Sequence, residues 1–382
     1  MKNVGISAVV ALALSSSVVM ADDALAESFK NGKTYGQIGA FGVTKELKQG
    51  NDKKSGFANA FAEIGFESAP LYGVSVGLSA FGAQKIDSSV DDSGEGGYRN
   101  EFSQNSVFNR AFLKVAHEGM GSVVIGRQKA AGFEWLTKYI EAAVVSIKPM
   151  PELDVKVAWA SRRAKAQEDA ISNFKLINGD TKGESKGMYV LDMKYALMDM
   201  VTLNPYYYHK ADNFTAPGIK AMINVDLGGD MKSATMLQYV MVKSDGKNKA
   251  KDGSVMHIEE NFEFSGASLG VGYIMAGKDS GANTLNKTGA KPNPFEEGSH
   301  IYDADAKTFY VSLGYEYEGI SLGAIYGSTK YSAAKVKENE INVSAGYEIL
   351  KNLEAGVVYT NIKNDNDSES WSSIKGTVAY SF

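Results

Sequence analysis

KTFYVSLGYEYE, residues 307–318, is the stretch from which the fold can be read. Phe309, Val311, Leu313, Tyr315 and Tyr317 recur at every second position, against Thr308, Tyr310, Ser312, Glu316 and Glu318. Side chains of an extended chain point alternately to two faces, so the stretch predicts a strand with one apolar and one polar face. The same period returns in 57–68, where Ala58, Ala60, Ala62, Ile64 and Phe66 oppose Asn59, Glu63 and Glu67. It recurs in 186–197, 217–227 and 340–348.

Marking each such segment predicts about eighteen strands, most of about 9–13 residues. They fall at 33–45, 57–68, 71–84, 105–117, 121–129, 141–148, 153–163, 186–197, 200–210, 217–227, 231–243, 255–265, 267–277, 307–318, 320–331, 339–348, 352–362 and 371–382. Strands of globular sheets average roughly 5–6 residues, whereas ~10 residues tilted by ~40° match a bilayer. The connections alternate long and short along the chain. Tight ones such as Ser68-Ala69-Pro70, Glu118-Gly119-Met120 and Leu350-Lys351-Asn352 are followed by long polar ones such as 85–104, 164–185 and 278–306. Long loops gathered at one end are the mark of a membrane barrel with short periplasmic turns and longer external loops.

The first residues, MKNVGISAVVALALSSSVVMADDALAES, place Lys2 before an apolar stretch and Val19-Met20-Ala21 before Asp22. This is the layout of a secretory signal peptide spanning 1–21, leaving 22–382 as one barrel domain. No later apolar run is long enough to cross a membrane as a helix. An exported chain of 382 residues with no cysteine must be held by something other than disulfides, and a closed ladder of backbone hydrogen bonds suffices. A net charge of −5 argues against a general nucleic-acid role. Only 7 prolines and as many as 20 tyrosines suit long strands with aromatic girdles.

Within lipid every backbone amide must be paired inside the protein, so a spanning sheet closes on itself. The apolar face then looks outward, and at about eighteen strands the bore is too wide for side chains to fill. An all-β transmembrane barrel with a wet lumen is expected: an outer-membrane porin passing small polar solutes and ions, in contact with outer-membrane lipid and lipopolysaccharide. The C-terminus agrees. In IKGTVAYSF (374–382), Val378, Tyr380 and Phe382 share one face, resembling the terminal strand that outer-membrane barrels present to their assembly machinery.

GRQKAAGFEWLTKYIEAAVVSIKPMPELDVKVAWASRRA (126–164) resembles the fifth strand, inward-folded third loop and sixth strand of eighteen-stranded OprD-type porins, and the major outer-membrane porins of related bacteria. The resemblance implies a constriction loop over Ala131 to Tyr139, with Phe133, Glu134, Trp135 and Lys138, and with Glu141 leading into the next strand. It also implies a homotrimer and a basic ladder guiding carboxylate-bearing solutes. The alternation places Arg110, Lys114, Lys148, Lys156, Arg162, Lys194 and Lys220 on the inward face, and Glu63, Glu67, Glu259, Glu263, Glu316, Glu318, Glu348 and Glu354 likewise. A basic wall would face an acidic one and favour polar solutes. These charges could equally be solvated lining, or pair with Glu134 and Glu141 to hold the loop. Strict alternation puts Arg127 with Val123 and Ile125, facing lipid; it lies either at the external rim or on a bulge that turns it into the lumen, which the family likeness favours.

Other patterns carry less. GVSVG (73–77) and GASLG (266–270) match a nucleophile elbow, which would make Ser75 or Ser268 the nucleophile of an outer-membrane lipid hydrolase. That chemistry needs a strand–turn–helix, and both lie in predicted strands, so no enzyme is expected. A non-channel adhesin barrel is a further alternative. His117, His209, His257 and His300 lack metal-ligand spacing. Asp365, Asp367 and Glu369 alternate in an external loop and form a weak Ca²⁺ candidate without the glycine and distal glutamate of an EF-hand; no other cofactor is expected. The acidic stretch Asp91 to Glu95 is expected to be a solvated loop.

Overall fold

A computed structural model describes residues 21–48, 54–87, 97–177, 186–245, 250–286, 292–332 and 334–382. Residues 1–20, all but the last of the expected signal peptide 1–21, and the acidic stretch 91–95 lie outside them. Eighteen long strands form one antiparallel sheet: β1 Lys33–Leu47, β2 Lys54–Glu67, β3 Val74–Asp87, β4 Ser106–His117, β5 Gly121–Lys129, β6 Tyr139–Met150, β7 Leu153–Ala164, β8 Met188–Met198, β9 Val201–Lys210, β10 Phe214–Gly228, β11 Met231–Ser244, β12 Gly253–Phe264, β13 Ala267–Ala276, β14 Lys307–Tyr317, β15 Ile320–Tyr331, β16 Val336–Leu350, β17 Leu353–Asn364 and β18 Trp371–Ser381. Each strand pairs with its neighbours in sequence, and β18 pairs with β1 from Gln37↔Ser381 to Leu47↔Trp371. The barrel is closed and has no free edge.

All eighteen predicted strands are present, with ends moved by a few residues. Seven of the turns at one end are tight, at 118–120, 151–152, 199–200, 229–230, 265–266, 318–319 and 351–352. Glu318 and Gly319, at φ 46° and 80°, form a two-residue hairpin whose left-handed geometry matches strand twist, and Glu318 therefore belongs to the turn. At the other end, 211–213 and 332–335 are also tight, so the alternation of lengths is less regular there than the sequence predicts. Two-residue strands at Ala166–Gln167, Ala170–Ile171 and Lys175–Leu176 add structure to the β7–β8 connection that periodicity did not reveal.

Exposure is inverted relative to a water-soluble sheet. On β14 the outward row Phe309, Leu313, Tyr315 and Tyr317 is exposed, with Leu313 at 58%; on β2, Ile64 is 63% exposed. The opposite row is polar and buried, including Asn59, Glu63, Ser79, Asn109, Asn204, Gln238, Asn342 and Thr360. An apolar exterior around a polar interior is stable only where the exterior meets lipid.

At the N-terminus, α1 (Ala21–Lys30) docks at the tight-turn end. The Ser28 hydroxyl donates to the Ala69 carbonyl (2.5 Å), and Phe29 stacks on Phe66 at 5.8 Å. Gly32 lets that ring in, because a Cβ there would fall 2.3 Å from Phe66 Cζ.

Candidate functional site

Residues directly opposite in an antiparallel ladder share a face, so the register sorts the predicted lining. Ser79↔Arg110 and Ser75↔Lys114 put both bases in the row of Glu63 and Glu67. Lys156 stands opposite Ser146 and Asp192, Lys194 opposite Asp154, and Lys220 opposite Asn204 and Gln238. Lys148 shares the parity of Ser146. Glu259 and Glu263 fall in the row of buried His257, and Glu316 in that of Tyr310.

Several of these charges are already engaged. Glu63 accepts from the Ser79 hydroxyl (3.3 Å) and the Asn109 amide (2.7 Å), and Glu67 pairs with Lys114 at 3.2 Å. The Tyr310 hydroxyl donates to Glu259, and His257 Nε2 lies 2.7 Å from the same hydroxyl. Arg110 lies over the Tyr35 ring at 4.8 Å and the Tyr139 ring at 6.0 Å.

Two arginines depart from expectation. Arg127 pairs with Ala111 and Glu141 without any register shift, so no bulge turns it into the lumen. It sits at the external end of β5, 3.3 Å from Glu141 and 4.5 Å from the Phe174 ring centre. The bulge lies instead on β7, where Glu141↔Arg162 is followed by Ala142↔Ala160 and Ser161 is the extra residue. It moves Arg162 into the row of Glu141 and Arg127, exposed, while Arg163 takes the other side opposite fully buried Ile140. Simple parity cannot see a one-residue insertion.

The connection 130–138 folds inward and docks against β8 to β11. Phe133, Trp135 and Leu136 are buried, Trp135 to 1% exposure. The Glu134 amide donates to Asp192 (2.9 Å) on β8, and the Trp135 amide to the Tyr208 hydroxyl (2.9 Å) on β9. The Glu134 carboxylate pairs with Lys220 (2.6 Å) on β10 and accepts from Gln238 (3.0 Å) on β11. Lys156 donates to the Ala131 carbonyl at 2.8 Å. Asp192, 2% exposed and also bonded by Asn204 and Tyr208, organises this contact. It escaped sequence analysis, although an inward acid among basic strands was a usable signal. Burial lowers the Lys138 pKa, and the nearby Lys165 and Arg163 charges lower it further.

Two more connections fold inward, and periodicity could not foresee either. In 277–306, Tyr302 packs on Trp135 at 5.5 Å and Phe295 on Tyr310 at 5.6 Å. The Glu297 and Gly298 amides donate to Glu340 (3.0 and 2.9 Å), and Lys375 pairs with Glu296 at 2.6 Å. The connection 165–187 reaches β2, where the Asn59 amide donates to the Glu168 carbonyl at 2.8 Å, and Lys165 pairs with Glu101 at 3.3 Å.

Among the described residues three polar clefts stand out, two beside the inward connections and one at the tight-turn end. One of about 300 Å³ is lined by Lys45, Lys165 and Lys375 against Glu101, Asp169 and Glu297. A second, about 380 Å³, gathers Lys148, Lys156 and Lys194 with Asp154 and Asp192 beneath Gly132. The third, about 740 Å³ at the tight-turn end, holds Glu316, Glu318, Glu348 and Glu354. The first two clefts thus mix lysines with acids, and only the third is wholly acidic, so the lining does not divide into one basic wall and one acidic wall.

The remaining candidates are not brought together. Ser75 lies within β3, its hydroxyl 3.5 Å from Glu67, and Ser268 lies within β13; neither stands on a strand–turn–helix. Asp365 accepts from the Lys337 main-chain N–H (2.8 Å), while Glu369 lies 3.4 Å from His300. Among the described residues no three acidic, histidine or cysteine side chains converge as a metal site.

The family model described as "Putative outer membrane protein" matches residues 77–364. The chain belongs to this outer-membrane protein family. Solved structures agree on the fold. OccAB4 of Acinetobacter baumannii is 14% identical with a TM-score of 0.78, covering 92% of this chain and 98% of its own. OccK9 (OpdG) of Pseudomonas aeruginosa is 13% identical with a TM-score of 0.78, covering 93% and 99%. OpdK of Pseudomonas aeruginosa, solved with vanillate, is 14% identical with a TM-score of 0.75, covering 93% and 99%. No curated protein matches the chain by sequence. The protein is an eighteen-stranded outer-membrane barrel of a Gram-negative bacterium, with the OprD-type fold.

Proposed function

We propose that this protein is a passive porin for small hydrophilic solutes and ions, with no catalytic role. The observation that carries this is the inverted barrel: a polar, charged interior crossed by three folded connections that leave clefts of a few hundred Å³. The connection 130–138 acts as the constriction loop, with Phe133, Glu134, Trp135 and Lys138 on it and Glu141 at its exit. Lys148, Lys156 and Lys194 supply point charges for a carboxylate, and the acidic cleft opposes a second anion, so monocarboxylates and zwitterions are preferred. The vanillate bound to OpdK, a carboxylate, supports this preference.

The functional unit is a homotrimer. A shallow apolar depression of about 820 Å³ on the outer wall, lined by Ala40, Gly42, Ala58, Ala345, Ala355 and Gly376, supports it, because small residues let two walls approach closely. The protein reaches the membrane after removal of residues 1–21.

Purified protein in planar bilayers is expected to give stepwise open conductances, and carboxylates are expected to reduce the ion current in a concentration-dependent way. An electrically silent bilayer containing folded, heat-modifiable barrel would overturn the porin assignment.

A further inference from the structure

At the loop end of the barrel, the outward row crosses β14, β15 and β16 as Lys307↔Lys330↔Lys337, three lysines directly opposite one another. One step along, Asn339↔Lys363 adds a fourth on β17. Parity places all four on the outward face: Lys307 with Phe309, Lys330 with Tyr326, Lys337 with Ile341 and Lys363 with Tyr359, whose side chains are exposed. The lysines therefore stand immediately above the apolar band, on the same side of the wall.

Like charges directly opposite on a sheet repel, and such pairs are normally avoided. Elsewhere along this rim a basic group meets an acid on the neighbouring strand: Lys54 has Glu46 at 3.5 Å, and Arg127 has Glu141 at 3.3 Å. Among the described residues no ion pair joins any of the four lysines. Two acids flank the row: Asp305 pairs with Lys335 and also feels the Lys307 charge, and Asp365 accepts from the Lys337 main-chain N–H. Among the described residues the four ammonium groups are offset by no salt bridge, Lys307 alone sharing the charge of Asp305 with Lys335, and the row faces the lipid headgroups.

We propose that Lys307, Lys330, Lys337 and Lys363 form a binding surface for the phosphate groups of the phosphorylated glycolipid in the outer leaflet, lipopolysaccharide. The compact ammonium groups bind phosphate as point charges, and the exposed rings and aliphatic side chains beneath them meet its acyl chains. The inference rests on the orientation of the barrel in the outer membrane and is independent of what the lumen conducts.

The test replaces all four lysines with glutamine in the full-length protein. A control replaces Lys129, Lys232, Lys251 and Lys351, which lie off this surface. Heat-modifiable migration verifies that both variants fold. Each is titrated in detergent with lipopolysaccharide, with the same glycolipid after phosphate removal, and with phosphatidylethanolamine, and bound lipid is counted by native mass spectrometry. The expected result is a several-fold loss of bound lipopolysaccharide in the quadruple variant and none in the control. The dephosphorylated glycolipid should bind the unchanged protein as weakly as lipopolysaccharide binds the variant. Equal binding by the two variants would overturn the proposal. So would equal binding of the dephosphorylated lipid, or a change of oligomeric state in the quadruple variant with lipopolysaccharide still bound, which would assign the surface to a second copy of the chain.

Discussion

The Glu134 carboxylate lies 2.6 Å from the Lys220 ammonium, joining the β5–β6 connection to strand β10, four strands further round the barrel. Both side chains are largely shielded, so the pair is a fixed strut. Removing one partner of a buried pair leaves an uncompensated charge at a cost of about 3–5 kcal/mol. Lys220→Met is therefore expected to release connection 130–138, raising the open-channel current and its noise. Single-channel recording checks this, and the double variant Lys220→Met/Glu134→Gln should recover most of the lost thermal stability.

Trp135 closes the same strut by packing on Tyr302. Truncating a buried aromatic to alanine costs about 3–5 kcal/mol, from lost burial and the cavity left behind. Trp135→Ala is expected to lower the temperature at which the two inward connections loosen while leaving the barrel intact. Limited proteolysis should then cut within 130–138 or 277–306 before the heat-modifiable band changes.

The β7 bulge makes neighbouring arginines inequivalent. Arg163, beside Lys138 and Lys165, contributes to the field of the lumen, whereas Arg162 lies in the row of Glu141. Arg163→Ala is expected to shift the reversal potential toward cation selectivity, and Arg162→Ala to leave it within error. The reverse ranking would place the bulge elsewhere.

His300 holds connection 277–306 to the mouth. Its ring stacks on Tyr331 at 4.0 Å, and its nitrogens lie 2.6 Å from Asp303, 3.6 Å from Glu338 and 3.4 Å from Glu369. Burial disfavours the charged ring, but the Asp303 hydrogen bond and the Glu338, Asp303 and Glu369 charges outweigh it and raise the pKa above the ordinary histidine value. Because the folded-state pKa is raised, the stabilisation is fully present below ~6.5, the unfolded value, and is lost as pH rises through the folded one. Current fluctuations should increase over that rise in the unchanged protein. In His300→Gln they should be independent of pH over the same window.

The inverted exposure has its own test on one strand. Val311→Arg places a charge against lipid near mid-strand and should cost about 2–4 kcal/mol in bilayer folding titrations. Ser312→Arg, one residue along, points into the lumen and should fold normally while altering conductance.

Strand number and strand faces were legible in the chain because a period of two needs only local order. Phe309, Val311 and Leu313 announce an apolar face wherever that strand goes, and the length of the strands, with the loops at one end, announces a membrane. Charged lining followed by the same parity wherever the ladder was regular, as at Lys114, Lys156 and Lys220. It failed at Arg162, where one inserted residue reverses every later side chain.

The interior of the barrel was decided only by tertiary structure. That Glu134 finds Lys220, Trp135 finds Tyr302 and Asn59 reaches the Glu168 carbonyl depends on contacts between segments 86, 167 and 109 residues apart. No local pattern encodes them, because irregular connections have no period. Closure of the ladder brings these partners within reach, and burial of polar groups away from bulk water then requires that each be matched.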